Sequence, residues 1–498
     1  MKLVFHPPSH FRPASANGTY RFLPFRFMRW HSDEVLLTND VGEFTFLATD
    51  VFSAFVEQRL SHAHPAYTEL KAKHFLHDSA STVPLQLLAT KYRTKKSFLE
   101  GFTSLHMFVV TLRCDHSCAY CQVSRVNEDR TRFDMSVETA ARSIDLMFQS
   151  PSPVLKVEFQ GGESLLNFDL IKWIVSHVLE RNVTERRDVQ FVIATNLAPL
   201  TDEMLSFCGE HSIFLSTSLD GPQFLHNRNR PRPGGDSHQR AVANLMKARA
   251  ALGHDRVSAL MTTSEASLQY PLEIIDEYVA QGFDAIFLRA LSPYGFAVRS
   301  RMAFRYEAAQ FVEFYNTALE HIIELNRRGT PLIEVYTQIL LQKILTPFAT
   351  GYVDLQSPTG AGIAAVVYNY DGDVYASDES RMLAEMGDTS FRLGNVHRDT
   401  YASIFGGSRL RAIVEASCLE TLPGCSECAF APYCGADPIL NWATQGDPIG
   451  HRPTSAFCAK QMAVFRRLFD LLRNGDAFTR DLLVRWATQV DARDEEVA

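Results

Sequence analysis

Residues 111–124 read TLRCDHSCAYCQVS and follow directly on the apolar run Phe108-Val109-Val110. The stretch sets Cys114, Cys118 and Cys121 at x3 and x2 spacing. Three thiolates this close can hold three irons of a [4Fe–4S] cluster and leave the fourth iron open to a small-molecule chelate. Three unrelated cysteines in a loop, or part of a zinc site, are the competing readings. Zinc sites usually show paired C-x2-C knuckles with a fourth ligand nearby. No such ligand follows Cys121 closely.

Around this loop, apolar runs of strand length alternate with helical patterns. Strands are expected at 107–112, 154–160, 189–195, 213–219, 257–263 and 285–290, and helices between them at 135–149, 170–182, 237–252 and 270–281. Ala140, Ala141, Ile144, Met147 and Phe148 recur at helical spacing, as one buried face requires. Six βα units imply a parallel sheet with crossover helices. Such sheets bind ligands at the carboxyl ends of their strands. The cysteine loop sits just past the first strand, where that rule wants it. Residues 304–345 read as helical, followed by a loop-rich, cysteine-rich region and a helical tail from about Ala456.

The chain has 498 residues, 46% hydrophobic and 21% charged, too many for one core. Its formal net charge of -8 does not favour a nucleic-acid partner. The basic run Arg228-Asn229-Arg230-Pro231-Arg232 is short and reads as a solvated or anion-binding loop. MKLVFHPPSHFRPAS has no apolar core of an export signal, and no stretch of about 18 apolar residues exists to span a membrane. Nine clustered cysteines in such a chain favour metal ligation over disulfides, so a reducing, cytoplasmic compartment is expected. The acidic end, Asp491 to Ala498, is expected to fray.

Residues 1–100 form a distinct region. Val35–Thr38 and Glu43–Leu47 read as strands joined by the turn residues Asn39-Asp40-Val41-Gly42. Asp50 can then cap a helix with Val51, Phe52, Phe55 and Val56 on one face. LLTNDVGEFTFL resembles the PqqD-like, winged-helix peptide-recognition domain of enzymes that modify ribosomal peptides.

The cysteine loop itself resembles the C-x3-C-x-Φ-C signature of the radical S-adenosylmethionine (SAM) family, with Tyr120 as the aromatic Φ. The resemblance implies a partial (β/α)6 TIM-like barrel at 101–330, and SAM bound to the open iron by its amino and carboxylate groups. Gly161-Gly162-Glu163 resembles that family's GGE motif, which contacts the SAM amino group. Thr195-Asn196 stands where relatives carry T-N-G, with Leu197 replacing the glycine. Ser218, in Ser218-Leu219-Asp220-Gly221-Pro222 with His226 and Arg230 downstream, is an expected polar contact to SAM. Asp220 and His226 read equally well as loop-holding residues. Arg289 is a candidate for SAM or substrate, with a buried ion pair as the alternative.

Cys425-x2-Cys428-x5-Cys434, with Cys458 beyond and Cys418 upstream, satisfies zinc spacing as bare chemistry. In this context 331–498 resembles the SPASM extension, which usually carries two auxiliary [4Fe–4S] clusters. Thr359, Ser377 and Pro438 stand where three cysteines of the first auxiliary cluster belong. The resemblance thus implies one auxiliary cluster, on Cys425, Cys428, Cys434 and Cys458, with Cys418 as an alternative ligand. Tyr370, Ser377, Asp378, Glu379 and Arg381 are expected to line the vacated space, with Asp378 as a general base or else a surface ion pair. Cys208 reads as a buried thiol on a helix.

LPFRF, IFLRALSPYGFA, YNYDGDVYASDESRML and CGADP together resemble the His-Xaa-Ser system radical SAM maturase family. The resemblance implies an enzyme that cleaves SAM reductively to a 5′-deoxyadenosyl radical and abstracts hydrogen from a ribosomally made precursor peptide. A flavodoxin or ferredoxin electron donor and a second radical SAM maturase are the implied partners. A sulfatase-maturating, formylglycine-forming enzyme and a non-catalytic metal-bound peptide-delivery protein are the alternatives.

Overall fold

The computed structural model describes residues 20–78, 81–123 and 129–489. The acidic end expected to fray and the stretch read for an export signal lie outside them. The first strand, Leu105–Thr111, is buried on both faces, with Phe108, Val109 and Val110 fully inaccessible. That is the pattern of a parallel strand covered on both sides. Val154–Gly161, Asp188–Ala194, Phe214–Ser218, Val257–Thr263 and Leu288–Ala290 follow it, each parallel to its neighbour and in chain order across the sheet.

Helices Val137–Met147, Phe168–Glu185, Asp202–Glu210, Ser237–Leu252 and Pro271–Ala280 make the crossovers. Their starts are chemically specified. Ser136 Oγ accepts from the Thr139 N–H at 3.1 Å, and Thr201 Oγ1 from the Met204 N–H at 3.3 Å. Ile144, Met147, Ile171 and Ile174 on the helices pack with Leu155, Val157 and Phe159 on the sheet in one core. The expected partial (β/α)6 barrel is therefore the architecture of this region.

The sheet continues beyond it. Ala365–Tyr368 adds to the first strand in parallel, with Val367 opposite Met107, and Asp373–Tyr375 and Arg392–Asn395 extend it antiparallel. The nine-stranded sheet thus runs across residue 331. The helical stretch expected at 304–345 divides into Ala308–Arg327 and Val335–Leu345. Pro331 cannot continue the ladder, and Glu334 restarts it by accepting from the Tyr336 and Thr337 N–H groups. Ile333–Glu334 between them pairs with Ala285–Ile286.

Near the N-terminus, Phe25–Arg29, Glu34–Asn39 and Phe44–Ala48 form an antiparallel sheet, so the expected hairpin gains a third strand. The following helix starts at Thr49 with Ala48 at its cap, so Asp50 lies in its first turn and does not cap it. Val56 is exposed, while Phe55 is fully buried with Val35, Leu37 and Leu70. Leu36 and Trp30 belong instead to the main core. Trp30 lies edge-on to Phe430 and Phe469, and Tyr433 donates to the Gly42 carbonyl at 2.9 Å. The N-terminal module is thereby docked on the cysteine-rich region. Among the described residues, no helix is long and apolar enough to cross a membrane.

Candidate functional site

A cavity of about 260 Å³ opens over the carboxyl ends of the barrel strands. Cys114, Cys118 and Cys121 line it together, with Tyr120, Gly161, Gly162, Thr195, Asn196, Ser218, Arg289 and Asp378. The residues from Cys114 to Arg289 meet there because each parallel barrel strand delivers its carboxyl end to the same side, and Asp378 joins them from the start of the helix Asp378–Glu385.

The two glycines serve backbone packing. A Cβ on Gly161 would lie 1.8 Å from the Thr111 carbonyl oxygen, and one on Gly162 2.3 Å from that of Arg113. The Gly162 N–H donates to Thr111 O at 2.9 Å and the Glu163 N–H to Arg113 O at 2.7 Å. The motif therefore stitches the second strand to the chain entering Cys114. From the other side, a Cβ on Gly295 would lie 2.3 Å from the Gln122 carbonyl oxygen, and the Ala297 N–H donates to Cys121 O at 3.2 Å. The SPYGFA string grips the outgoing end of the cysteine loop.

Glu163 differs from its expected place. It does not line the cavity, and its carboxylate is occupied: it accepts from Thr195 Oγ1 at 2.6 Å, the Asn196 N–H at 2.7 Å and the Leu165 N–H at 3.0 Å. Burial pushes it up to about 7 against these donors. Its role here is to hold Thr195 and Asn196. Leu197 adopts the left-handed conformation that ordinarily favours glycine, with φ of 62°, and its side chain is fully buried. Asn196 Nδ2 in turn donates to Asp115 at 2.8 Å and lies 3.0 Å from His116 Nδ1.

Tyr120 presents its ring to the cavity, while its hydroxyl donates to Asp220 at 2.5 Å. Asp220 is fully buried, accepts from Arg230 Nε at 3.1 Å, and has the Arg230 guanidinium over the Tyr120 ring. His226 Nδ1 accepts from the Asp220 N–H at 3.3 Å, and Ser237 Oγ bridges His226 and His116. Asp220 and His226 thus hold the loop. Ser237 and His116 escaped the sequence reading. His116, lying within the cysteine loop, was the only available signal.

The residues fit a [4Fe–4S] cluster with SAM. Burial, Glu163 and Cys118 push the Cys114 thiol well above its ordinary value, so a thiolate there needs a compensating metal charge. Among the described residues, buried Thr217 Oγ1 and Gln122 Nε2 line the cavity without a hydrogen-bond partner, as polar contacts for a small polar ligand.

Cys425, Cys428, Cys434 and Cys458 converge on a second, smaller cavity of about 40 Å³, among Phe430, Met462 and Phe465. Burial and the neighbouring thiols Cys428, Cys425 and Cys458 push Cys434 up. Four cysteines around one cavity suit a closed cluster. Cys418 is not among them; its Sγ donates to the Val414 carbonyl at 3.3 Å.

At the replaced cysteine positions the side chains have local work. Ser377 Oγ accepts from the Ser380 N–H, capping Asp378–Glu385, and Pro438 opens Pro438–Gln445. Of the residues expected to line that space, Asp378 reaches the SAM-side cavity and Glu379 a neighbouring one. Tyr370 packs by Phe133, and Arg381, 1% exposed, pairs with Asp378 at 3.0 Å and donates to the Val123 carbonyl. Asp378 is therefore both ion-paired and cavity-lining. Cys208 is fully buried on its helix.

Residues 108–277 match the family model described as the Radical SAM superfamily, so the chain carries a radical SAM domain. It is 27% identical over 186 residues to an uncharacterized protein of Methanocaldococcus jannaschii, covering 37% of this chain and 61% of that protein, under two thirds of its length. It is 21% identical over 344 residues to the serine-type anaerobic sulfatase-maturating enzyme of Bacteroides thetaiotaomicron, covering 66% and 80% of the two chains. Two solved structures share the fold. One is native anSMEcpe with bound AdoMet and Cp18Cys peptide, with a TM-score of 0.60, 16% identity, and coverage of 75% and 99%. The other is Streptococcus suis SuiB bound to precursor peptide SuiA, with a TM-score of 0.51, 14% identity, and coverage of 86% and 98%.

Proposed function

We propose that this chain is a radical SAM maturase that modifies a ribosomally made precursor peptide, of the His-Xaa-Ser type read from its sequence strings (HxsB). The observation that carries the reading is the single cavity joining Cys114, Cys118 and Cys121 to Asp378 and Arg289. Cluster-binding and candidate substrate-side residues face the same space. The likeness to peptide-bound anSMEcpe and SuiB supports a peptide as substrate.

Cys114, Cys118 and Cys121 would hold an open-iron cluster, which when bound would supply the reductive SAM chemistry behind hydrogen abstraction. The chain's own residues do the positioning. Tyr120, tied to Asp220, fixes the loop between Cys118 and Cys121. Glu163 sets Thr195 and Asn196 at the cavity wall, and Ser218 and Thr217 offer hydroxyls to SAM. Arg289 offers its guanidinium to an anionic group. Asp378 accepts a proton at its carboxylate while Arg381 orients it. Cys425, Cys428, Cys434 and Cys458 would hold one auxiliary cluster. Residues 1–100 would present the leader, 101–330 carry the chemistry and 331–498 hold the auxiliary site. A flavodoxin or ferredoxin would deliver the electron, and a second maturase would share the substrate.

Anaerobic reconstitution with SAM and dithionite tests the reading. The expected result is 5′-deoxyadenosine well above a Cys114→Ala control, with mass change in a coexpressed precursor peptide. No 5′-deoxyadenosine above that control overturns it.

A further inference from the structure

A third cavity, of about 80 Å³, adjoins the first, with Arg289 in the wall of both. Asp354, Glu379 and Asp437 supply three carboxylates to its lining, and Lys460 and Arg289 two cations. Asp437 Oδ1 caps Pro438–Gln445, accepting from the Ile439 N–H at 3.0 Å and the Leu440 N–H at 2.9 Å; the other groups are less well matched among the described residues. Among the described residues Glu379 pairs only with Arg289, at 3.8 Å. Asp354 has no hydrogen bond or ion pair among the described residues. Lys460 lies over the rings of Phe311, Tyr336 and Phe457, at 5.6 to 5.9 Å.

Two neutral groups of the same wall give independent testimony. Tyr294 is 1% exposed and Gln461 2%, yet the Tyr294 hydroxyl and Gln461 Nε2 have no hydrogen-bond partner among the described residues. Gln461 is held by its other end, where Oε1 accepts from the Tyr336 hydroxyl at 2.5 Å. Gln461 stands in the wall between this cavity and the four-thiol one, and the Tyr336 bond fixes the amide there. Leaving such groups unmatched is costly, so native structures keep them for a ligand or water. Burial, then the like charges of Asp354, Asp378 and Asp437, push Glu379 up to about 8, so it keeps its proton near neutral pH until a cation close by favours the carboxylate.

We propose that this cavity holds a cationic side chain of the peptide, its charge set among Asp354, Glu379 and Asp437, with the adjoining main-chain carbonyl taken by Lys460 and Gln461. The assignment rests on the peptide-modifying reading above and names the substrate class of that site. The shared wall at Arg289 puts the cationic residue next to the residue that enters the SAM-side cavity.

The test uses the anaerobically reconstituted full chain with SAM. The probes are three fluorescent pentapeptides, Gly-Gly-Xaa-Gly-Gly, with lysine, norleucine or glutamate at Xaa, titrated by anisotropy. The lysine peptide is expected to bind about tenfold tighter than the norleucine peptide, the effect of one charge-assisted contact, and the glutamate peptide weakest. Asp354→Asn, chosen because its carboxylate bonds to no described residue, is expected to erase most of the lysine preference. Glu379→Gln is the second variant and is expected to do the same. Equal affinities for lysine and norleucine, no measurable lysine binding, a glutamate preference, or a preference that survives both variants overturns the assignment. 5′-Deoxyadenosine measured in the same samples separates the two ideas. Its formation without charge preference sinks only the cavity assignment; a charge preference without it sinks only the catalytic reading.

Discussion

Replacing Asp220 by asparagine keeps the shape of the side chain and removes one charge. The structure says what is left behind. Asp220 is fully buried and is the carboxylate against which Arg230 is paired, at 3.1 Å. Breaking one side of a buried pair costs about 3–5 kcal/mol, because the other charge remains. Arg230 keeps 14% side-chain exposure and its place over the Tyr120 ring, and such a ring contact contributes about 0.5–2 kcal/mol. The expected loss is therefore about 2–4 kcal/mol. Tyr120→Phe removes only the hydrogen bond to the carboxylate and is expected to cost about 1.5 kcal/mol. Asp220→Leu combined with Arg230→Met removes both charges and is expected to be milder than Asp220→Asn alone. The assay is equilibrium urea unfolding under anaerobic conditions, with iron content measured in parallel. Because Tyr120 lies between Cys118 and Cys121, iron retention should follow the same order. An Asp220→Asn variant within about 0.5 kcal/mol of the parent, or a double variant worse than the single, would refute the pairing argument.

Cys434→Ala is expected to lower iron from about eight to about four per chain, whereas Cys418→Ala leaves it at about eight; about twelve in the parent would refute the single auxiliary cluster. Lys95 is 8% exposed, and burial with the ammonium groups of Lys343 and Lys96 pulls it down to about 7. Between that value and the unfolded lysine's, about 10.4, the unfolded chain binds a proton that the folded one does not, so stability rises with pH across this window. Raising pH from 7 to 9.5 should therefore stabilise the parent relative to Lys95→Met by up to about 3 kcal/mol; an unchanged difference in urea midpoints between the two pH values would refute it.

Much of the fold was legible because strand and helix periodicity is a local property. Phe108-Val109-Val110 had to be covered on both faces, and Ser237–Leu252 begins and ends where its pattern does. The division of 304–345 was missed because Pro331 and the Glu334 cap act through a few atoms inside an otherwise helical run. The third strand, Phe25–Arg29, went unread because its exposed and half-buried residues lack a clean alternation.

The sequence by itself determined the chemistry on offer: three thiols at open-iron spacing in one loop, and five more cysteines between positions 418 and 458. Spacing decides this because ligands within one short loop cannot avoid one another. Which distant groups join them was decided only by the tertiary structure. The turn of Glu163 away from the cavity toward Thr195 and Asn196, the exclusion of Cys418 from the four-thiol site, and the gathering of Asp354, Glu379, Asp437 and Lys460 in one wall are examples. These are contacts between segments far apart in the chain. Sheet order and helix packing set them, and no local pattern encodes the direction in which a carboxylate finds its donors.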